Sequence, residues 1–553
     1  MTDTAARQAD SPTGPTDPAE TVPPALSAPA RGQTLGDLLR RSAARSPGRT
    51  ALVWGERRDT FAQLDDAVNR TAHALRERGV ERGDRVALLS RNCRSFVVLY
   101  FALARLGAIS VPINFMLGGE EIGYILRHSG ASGLVIEDAL AEGAEAALAG
   151  LEPDAVRLRG WITLDGAIPR PSGWEPVEVW EEHPDGTEPG DGPAEDDPVQ
   201  LMYTSGTESR PKGVMLSSRG LIAQYASVMV DGGMTGDDVE AHALPLYHCA
   251  QLHCFLTPDI ALGATSVVLG GPDPETLLRT VERERVTKLF CPPTVWVALL
   301  RSPAFERYDL SSLRKGYYGA SVMPVEVLRE LAERLPNVRL TNFYGQTEMS
   351  PLATVLGPEE QSSRAGSAGR PALNVETRLV DEEGVPVPPG VVGEITHRSP
   401  HAMLGYWRDP ERTAEVFSGG WFHSGDLGVL DEDGYLYVVD RKKDMIKTGG
   451  ENVASREVEE ALYLHPAVAE AAVIGIPHPY WIEAVTAVVV PRAGAEVRAE
   501  EVRAHCAERL AGFKVPKYVT VLEALPKNPS GKILKRSLRE EFAHLSAGND
   551  DPA

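Results

Sequence analysis

Cysteine is scarce in this chain. There are five in 553 residues (Cys93, Cys249, Cys254, Cys291 and Cys506), scattered and odd in number. That excludes a disulfide framework and points to a reducing compartment, so a cytoplasmic protein is expected. Positive charge is also in deficit: 56 Lys and Arg stand against 78 Asp and Glu, a net charge of −22. A nucleic-acid-binding surface, which needs clustered cations, is therefore not expected. No apolar run reaches the roughly 20 residues that cross a bilayer, and the N-terminus lacks a basic-then-apolar leader. Integral membrane insertion is not expected either. Two catalytic signatures are missing as well. No G-x-S-x-G elbow surrounds Ser205 or Ser217, which speaks against a serine hydrolase built with His248. His248-Cys249 and His253-Cys254 lack zinc-finger spacing, although Cys249 and His253 could share a helix face.

What is present is ordinary globular composition, 42% hydrophobic and 24% charged, in a chain too long for one core. Residues 1–30, rich in Ala, Pro, Thr and Asp, read as a disordered tail. From Thr34 onward, buried strand candidates alternate with helical patterns: Arg85–Leu89, Ala108–Pro112, Leu134–Ile136, Lys315–Gly319 and Val338–Phe343, with helices from Thr60 to Arg78 and from Ser95 to Leu106. This rhythm predicts an α/β fold with parallel sheet and packed helices. Short alternating strands follow between Val375 and Arg398. A hairpin is expected where Asp431-Glu432-Asp433-Gly434 joins two apolar runs. A charged break at residues 441–443 reads as a hinge. It divides a large domain, 31–440, from a small α+β domain, 444–543, and a terminal tail, 544–553.

The loop Thr204-Ser205-Gly206-Thr207-Glu208-Ser209-Arg210-Pro211-Lys212-Gly213 follows an apolar strand, Val199–Tyr203. Hydroxyls, backbone N–H groups and one lysine in such a loop suit a phosphate. It is not the common phosphate loop, which needs G-x-x-x-x-G-K-[ST] opening a helix. Pro211 disfavours helix before it, so a loop closing over a triphosphate fits better. Plain surface turns share this composition. Asn342-Phe343-Tyr344-Gly345-Gln346-Thr347-Glu348 ends a strand, where ligands of open α/β sheets bind. It offers a ring for a base, a hydroxyl for a phosphate, and a carboxylate suited to Mg²⁺. Asp426, after Gly425, could hold ribose hydroxyls, with Arg441 returning at the end of the hairpin. Lys532 stands in a mobile Pro529-Ser530-Gly531 turn.

Together these stretches resemble the adenylate-forming superfamily of acyl-CoA synthetases, adenylation domains and beetle luciferases. Pro245–His248, Gly405-Tyr406-Trp407, Trp421–Gly428 and Asp440–Asn452 follow in the same order. The resemblance covers roughly residues 34 to 543 and looks most like bacterial fatty-acyl-CoA or aryl-CoA ligases. It implies a large N-terminal domain of packed α/β sheets with a small β-barrel-like subdomain, and a small mobile C-terminal domain. The activity it implies has two halves. A carboxylate attacks the α-phosphate of ATP to give acyl-AMP and pyrophosphate, and the thiol of coenzyme A then takes the acyl group. Transfer to a carrier protein, an amine or an unusual nucleophile, and a nucleotide-binding protein without turnover, are the rival readings.

By the same resemblance Lys532, Thr347, Glu348 and His248 are the catalytic group, with Mg²⁺ on Glu348. Thr204, Ser205, Gly206, Thr207, Lys212, Gly319, Ala320, Ser321, Tyr344, Gly345, Thr347, Asp426 and Arg441 bind ATP or AMP. Lys443 is at the hinge, and rotation of the small domain brings Gly449-Gly450 to the site for the pantetheine arm. Tyr247, Gln251, Trp296, Tyr318, Val322 and Met349 fall near the acid pocket. The implied partners are the acid, ATP and coenzyme A, with a homodimer allowed. One departure stands out: Glu208-Ser209 replaces a hydroxyl and a glycine in the phosphate loop, and Glu208 there is expected to turn away or pair with Arg210.

Overall fold

Strands apolar on both faces need cover on both faces, and here they form parallel sheets layered with helices. The computed structural model describes residues 30–166, 168–190, 192–204, 211–320, 323–442, 444–527 and 533–546. The expected tails therefore lie almost wholly outside the described residues. One sheet has eight strands in the order Gly405–Tyr406, Lys212–Ser217, Pro198–Thr204, Ile109–Pro112, Arg85–Leu89, Gly133–Glu137, Leu158–Ile162 and Glu175–Pro176. From Pro198–Thr204 onward its neighbours pair in parallel. The second has nine, in the order Arg370–Pro371, Leu352–Leu356, Arg339–Gly345, Lys315–Gly319, Lys288–Phe290, Val239–His242, Thr265–Val268, Thr50–Trp54 and Arg57–Thr60. Its central strands are parallel and its edges antiparallel.

The strand order of the nine-stranded sheet reverses at Val239–His242. The chain leaves that strand for Thr265–Val268 on one side and comes back to Lys288–Phe290 on the other. Such a switch point opens a crevice beyond the strand ends. Between the two large sheets runs a helical segment: Cys249–Gln251, a π-helical turn Leu252–Leu256, and Thr257–Leu262.

Local rules account for the elements. The helix Phe61–Glu77 starts at a reciprocal cap. Gln63 N–H donates to Thr60 Oγ1 (3.2 Å), and Thr60 N–H donates to Gln63 Oε1 (2.9 Å). A cap of this kind contributes about 1 kcal/mol. Phe61, Leu64, Val68, Ala72 and Leu75 then form one buried face, each large side chain stabilising the packing by about 1.5–3 kcal/mol.

A five-stranded antiparallel sheet forms the small β subdomain, with Glu376–Val380, Gly393–Arg398, Trp421–Leu430, Phe417–Ser418 and Leu436–Arg441. It includes the expected hairpin at 431–434. The smaller C-terminal domain has its own five-stranded sheet, centred on Val468–His478 and Ile482–Pro491. Alternation along these strands feeds two cores. Val473, Val485, Ala487 and Val489 face the helices Ser455–Tyr463 and Ala499–Ala507. Ile474, Ile476, Ala484 and Val488 face Leu538 and Phe542 of Lys535–Phe542. No helix among the described residues is long and apolar enough to cross a membrane.

Candidate active site

The strand ends of the nine-stranded sheet carry Gly319, Ala320, Tyr344, Gly345, Thr347 and Glu348 among the residues singled out in the sequence. The strand Lys212–Ser217 pairs antiparallel with Pro198–Thr204 and sets Thr204 opposite Lys212. The phosphate-loop segment is thus the connection of a hairpin, and Lys212 begins a strand rather than continuing a loop. Both sides of the connection are held. The Tyr124 hydroxyl donates to the Pro211 carbonyl at 3.2 Å, and Trp407 N–H donates to the Gly213 carbonyl at 2.7 Å. Ser205, Gly206, Thr207 and the Glu208–Arg210 departure lie outside the described residues, as do Ser321, Val322, Lys443 and Lys532.

Asp426 sits across the hairpin from Arg441, its Oδ1 3.6 Å from Arg441 Nε. Its Oδ2 accepts from the Tyr344 hydroxyl at 2.7 Å. Burial, and then the Asp426 charge, push the Tyr344 phenol well above its ordinary pKa, so it stays a donor. Three of the nucleotide residues expected from the sequence therefore form one cluster. Gly345, next in the strand, is there for want of space: a Cβ would lie 1.8 Å from the Pro351 carbonyl oxygen.

Glu348 follows in a short 3-10 turn, Thr347–Met349. Its Oε1 accepts from the Tyr406 hydroxyl at 2.9 Å. Tyr406 pairs with Val214 on the strand that Lys212 begins, and Lys212 Nζ lies 5.0 Å from the centre of its ring. Burial and then Arg412 pull the Lys212 ammonium below its ordinary pKa, against Glu348. Thr347 Oγ1 lies 3.2 Å from Cys249 Sγ. Burial pushes that thiol up to about 12, so Cys249 is neither a thiolate nucleophile nor a ready metal ligand. Cys249 and His253 do not share a face: His253 turns to the Tyr225 hydroxyl (2.8 Å) and to Gln200.

His248 caps the helical segment, its Nδ1 accepting from Ala250 N–H at 3.2 Å. It joins Pro245, Ala250, Gln251, Phe290 and Ala320 around a narrow, mainly apolar cleft. The cleft opens where the ends of Val239–His242 and Lys288–Phe290 part, at the switch point. Ala320, one residue past Gly319, holds a positive φ of 63°. The other pocket residues expected from the sequence distribute differently. Tyr247 is half-buried, edge-on to Phe115. Met349, Tyr318 and Trp296 are core. Tyr318 donates to Gln361 Oε1 (2.7 Å), and the Trp296 indole N–H to the Tyr317 carbonyl (3.0 Å). Gly449 and Gly450 turn a hairpin in the C-terminal domain, both at positive φ, with Gly449 against the Trp481 ring.

Sequence reasoning passed over Tyr406 as a partner of Glu348 and Cys249 as a neighbour of Thr347. It also missed a buried charged group, Glu240, His242, Asp259 and Lys288, beneath the cleft. The one signal for the last was Lys288 in the middle of an apolar strand.

Comparison with known proteins gives the class of this chain, an adenylate-forming ligase. The profile of the AMP-binding enzyme family matches residues 39–407, and that of the AMP-binding enzyme C-terminal domain matches 457–532. A feruloyl-CoA synthase from Amycolatopsis sp is 40% identical over 512 residues, covering 93% of this chain and 100% of the relative. An indoleacetate–CoA ligase from Aromatoleum aromaticum is 36% identical, covering 92% of this chain and 98% of the relative. Among solved structures, the anthranilate CoA ligase AuaEII in complex with anthranoyl-AMP superposes with a TM-score of 0.85 at 29% identity, covering 93% of this chain and 98% of that one. The chain belongs to the AMP-binding enzyme family. It is an AMP-forming acid–thiol ligase, using ATP to make an acyl adenylate and passing the acyl group to coenzyme A.

Proposed function

We propose that the acid is aromatic, an arylalkanoate, aryl-acrylate or benzoate, held flat in the cleft with its carboxylate toward Thr347. The observation that carries this is the lining of the cleft, apolar where Phe290, Pro245 and Ala320 meet. Apolar walls with a few polar groups suit an aromatic ring. Relatives named for ferulate, indoleacetate and anthranilate support the reading.

In this reading Asp426 and Arg441 hold the ribose, and Tyr344 fixes the Asp426 carboxylate. Gly319, Ala320 and the Tyr344 ring flank adenine. Thr204 and Lys212, with Ser205, Gly206 and Thr207, hold the β- and γ-phosphates, and Thr347 holds the α-phosphate. Glu348 fits Mg²⁺: it is a hard oxygen donor, held at one oxygen by the Tyr406 phenol, which burial keeps protonated. When bound there the ion would supply positive charge to the phosphate oxygens. Two anions must meet, so the work of these residues is positioning and charge stabilisation. Lys532 is assigned the charge beside the reacting carboxylate. Domains at 31–440 and 444–543 then turn about 441–443, so that Gly449-Gly450 replaces Lys532 and admits the pantetheine thiol. A cytoplasmic setting fits five unpaired, buried cysteines.

Pyrophosphate release measured over a panel of aryl and aliphatic acids, with and without coenzyme A, tests the reading. Turnover concentrated on aromatic acids is expected. A preference for medium or long alkanoates over every aromatic acid would overturn it.

A further inference from the structure

Directly under the cleft lies a ring of five side chains, Lys288, Glu240, Gln251, His242 and Asp259, all with 0% exposure. Glu240 and Lys288 are register partners on the two strands that part at the switch point. Lys288 Nζ meets Glu240 Oε2 at 2.9 Å and Asp259 Oδ1 in a shorter contact. Gln251 Nε2 donates to His242 Nδ1 at 2.8 Å and lies 3.4 Å from Glu240 Oε1. His242 Nε2 faces Asp259 Oδ2 at 3.5 Å, and neither atom makes a hydrogen bond. Glu240, His242 and Asp259 have the makings of a cation site. The cation is already there, as the Lys288 ammonium.

A buried ionic cluster costs more in desolvation than apolar residues of equal volume, so its value must lie elsewhere than in stability. Two features say where. Lys288 and Phe290 share a strand face, and Phe290 lines the cleft. Gln251 belongs both to the ring and to the cleft wall, three residues after His248 and at the entry to the π-helical turn. Turns of that kind are uncommon and recur at functional sites. The opposite flank of the turn is also pinned, through His253 to Tyr225 and Gln200.

We propose that this ring is a positioning device for the acid. Through Gln251 it sets the wall that carries His248, and so fixes the width of the cleft. The inference rests on the reading that the cleft takes the carboxylic acid.

The test compares two replacements at one position, using the full chain. His242→Asn keeps an acceptor where Nδ1 stands, whereas His242→Leu removes it. Acid-dependent ATP–pyrophosphate exchange gives separate KM values for acid and ATP. His242→Leu is expected to raise the acid KM about tenfold, the scale of one lost buried hydrogen bond, with the ATP KM within about twofold. His242→Asn is expected to stay within about threefold of wild type for both. Equal acid KM values for the two variants, or an ATP KM that rises as far as the acid KM, would overturn the proposal. Should His242→Leu fail to fold, Gln251→Met serves: a raised acid KM supports the ring, and an unchanged one overturns it. Exchange driven only by aliphatic acids would sink the aryl reading instead, and the variant comparison is then read on those acids.

Discussion

The Tyr344 hydroxyl and the Asp426 carboxylate are joined by a 2.7 Å hydrogen bond between the nine-stranded sheet and the small β subdomain. A hydrogen bond to a charged group contributes about 1.5–3 kcal/mol. Tyr344→Phe should therefore raise the ATP KM by about tenfold or more and leave the acid KM nearly unchanged. Steady-state kinetics with each substrate varied in turn would show it. Parallel rises in both constants would point to general disorder of the site.

Tyr406 plays the same part for Glu348. With Tyr406→Phe the carboxylate loses its fixed neighbour, and the half-saturating Mg²⁺ concentration for nucleotide binding should rise about three- to tenfold, since roughly 1 kcal/mol of orientation is lost. Calorimetric titration of ATP at several Mg²⁺ concentrations measures this without turnover. An unchanged Mg²⁺ dependence would separate Tyr406 from the metal.

Buried imidazoles contribute to the pH dependence of stability. Burial holds His253 and His397 down to about 3, against an ordinary value near 6.5. Between those values the unfolded chain binds a proton that the folded chain refuses, so stability falls as pH drops below about 6.5 and the loss is complete near pH 3. The slope is about 1.4 kcal/mol per pH unit for each histidine. Urea unfolding of wild type and His253→Gln between pH 7.5 and 4.5 should show a shallower decline in the variant. Identical slopes would mean that His253 is not held neutral.

Gly449 holds a φ of 60°, and a Cβ there would come within 2.9 Å of the Trp481 ring. Gly449→Ala should slow thioester formation about tenfold or more, because a left-handed alanine costs about 1–2 kcal/mol before any clash. Acyl-AMP formation should persist. A single-turnover assay started from preformed acyl-AMP isolates the step, and a normal rate there would remove the hairpin from the thiol path.

Much of the fold was legible because its signals are local. Arg85–Leu89 and Gly133–Glu137 are apolar on both faces, as central parallel strands must be. The hairpin around Asp431–Gly434 follows from its turn residues, and that hairpin brings Arg441 back to Asp426. The strand Lys212–Ser217 was not legible, since Pro211, Lys212 and Gly213, the end of the loop segment, mask the alternation of Val214 and Leu216 behind them. The contacts that tune the site were not legible. Tyr406 and Glu348 are 58 residues apart, and Cys249 and Thr347 are 98 apart. No periodicity links such pairs. Only the sheet order brings them together.

The ring beneath the cleft has a consequence for how this chain tolerates change. Removing one member strands its partners' charge in the interior, which costs about 3–5 kcal/mol, whereas replacing all of them by apolar residues of similar volume is near neutral. Glu240, Asp259 and Lys288 are therefore better replaced together than singly. A library that varies them one at a time would find almost only losses, while one that varies them together could reshape the pocket floor.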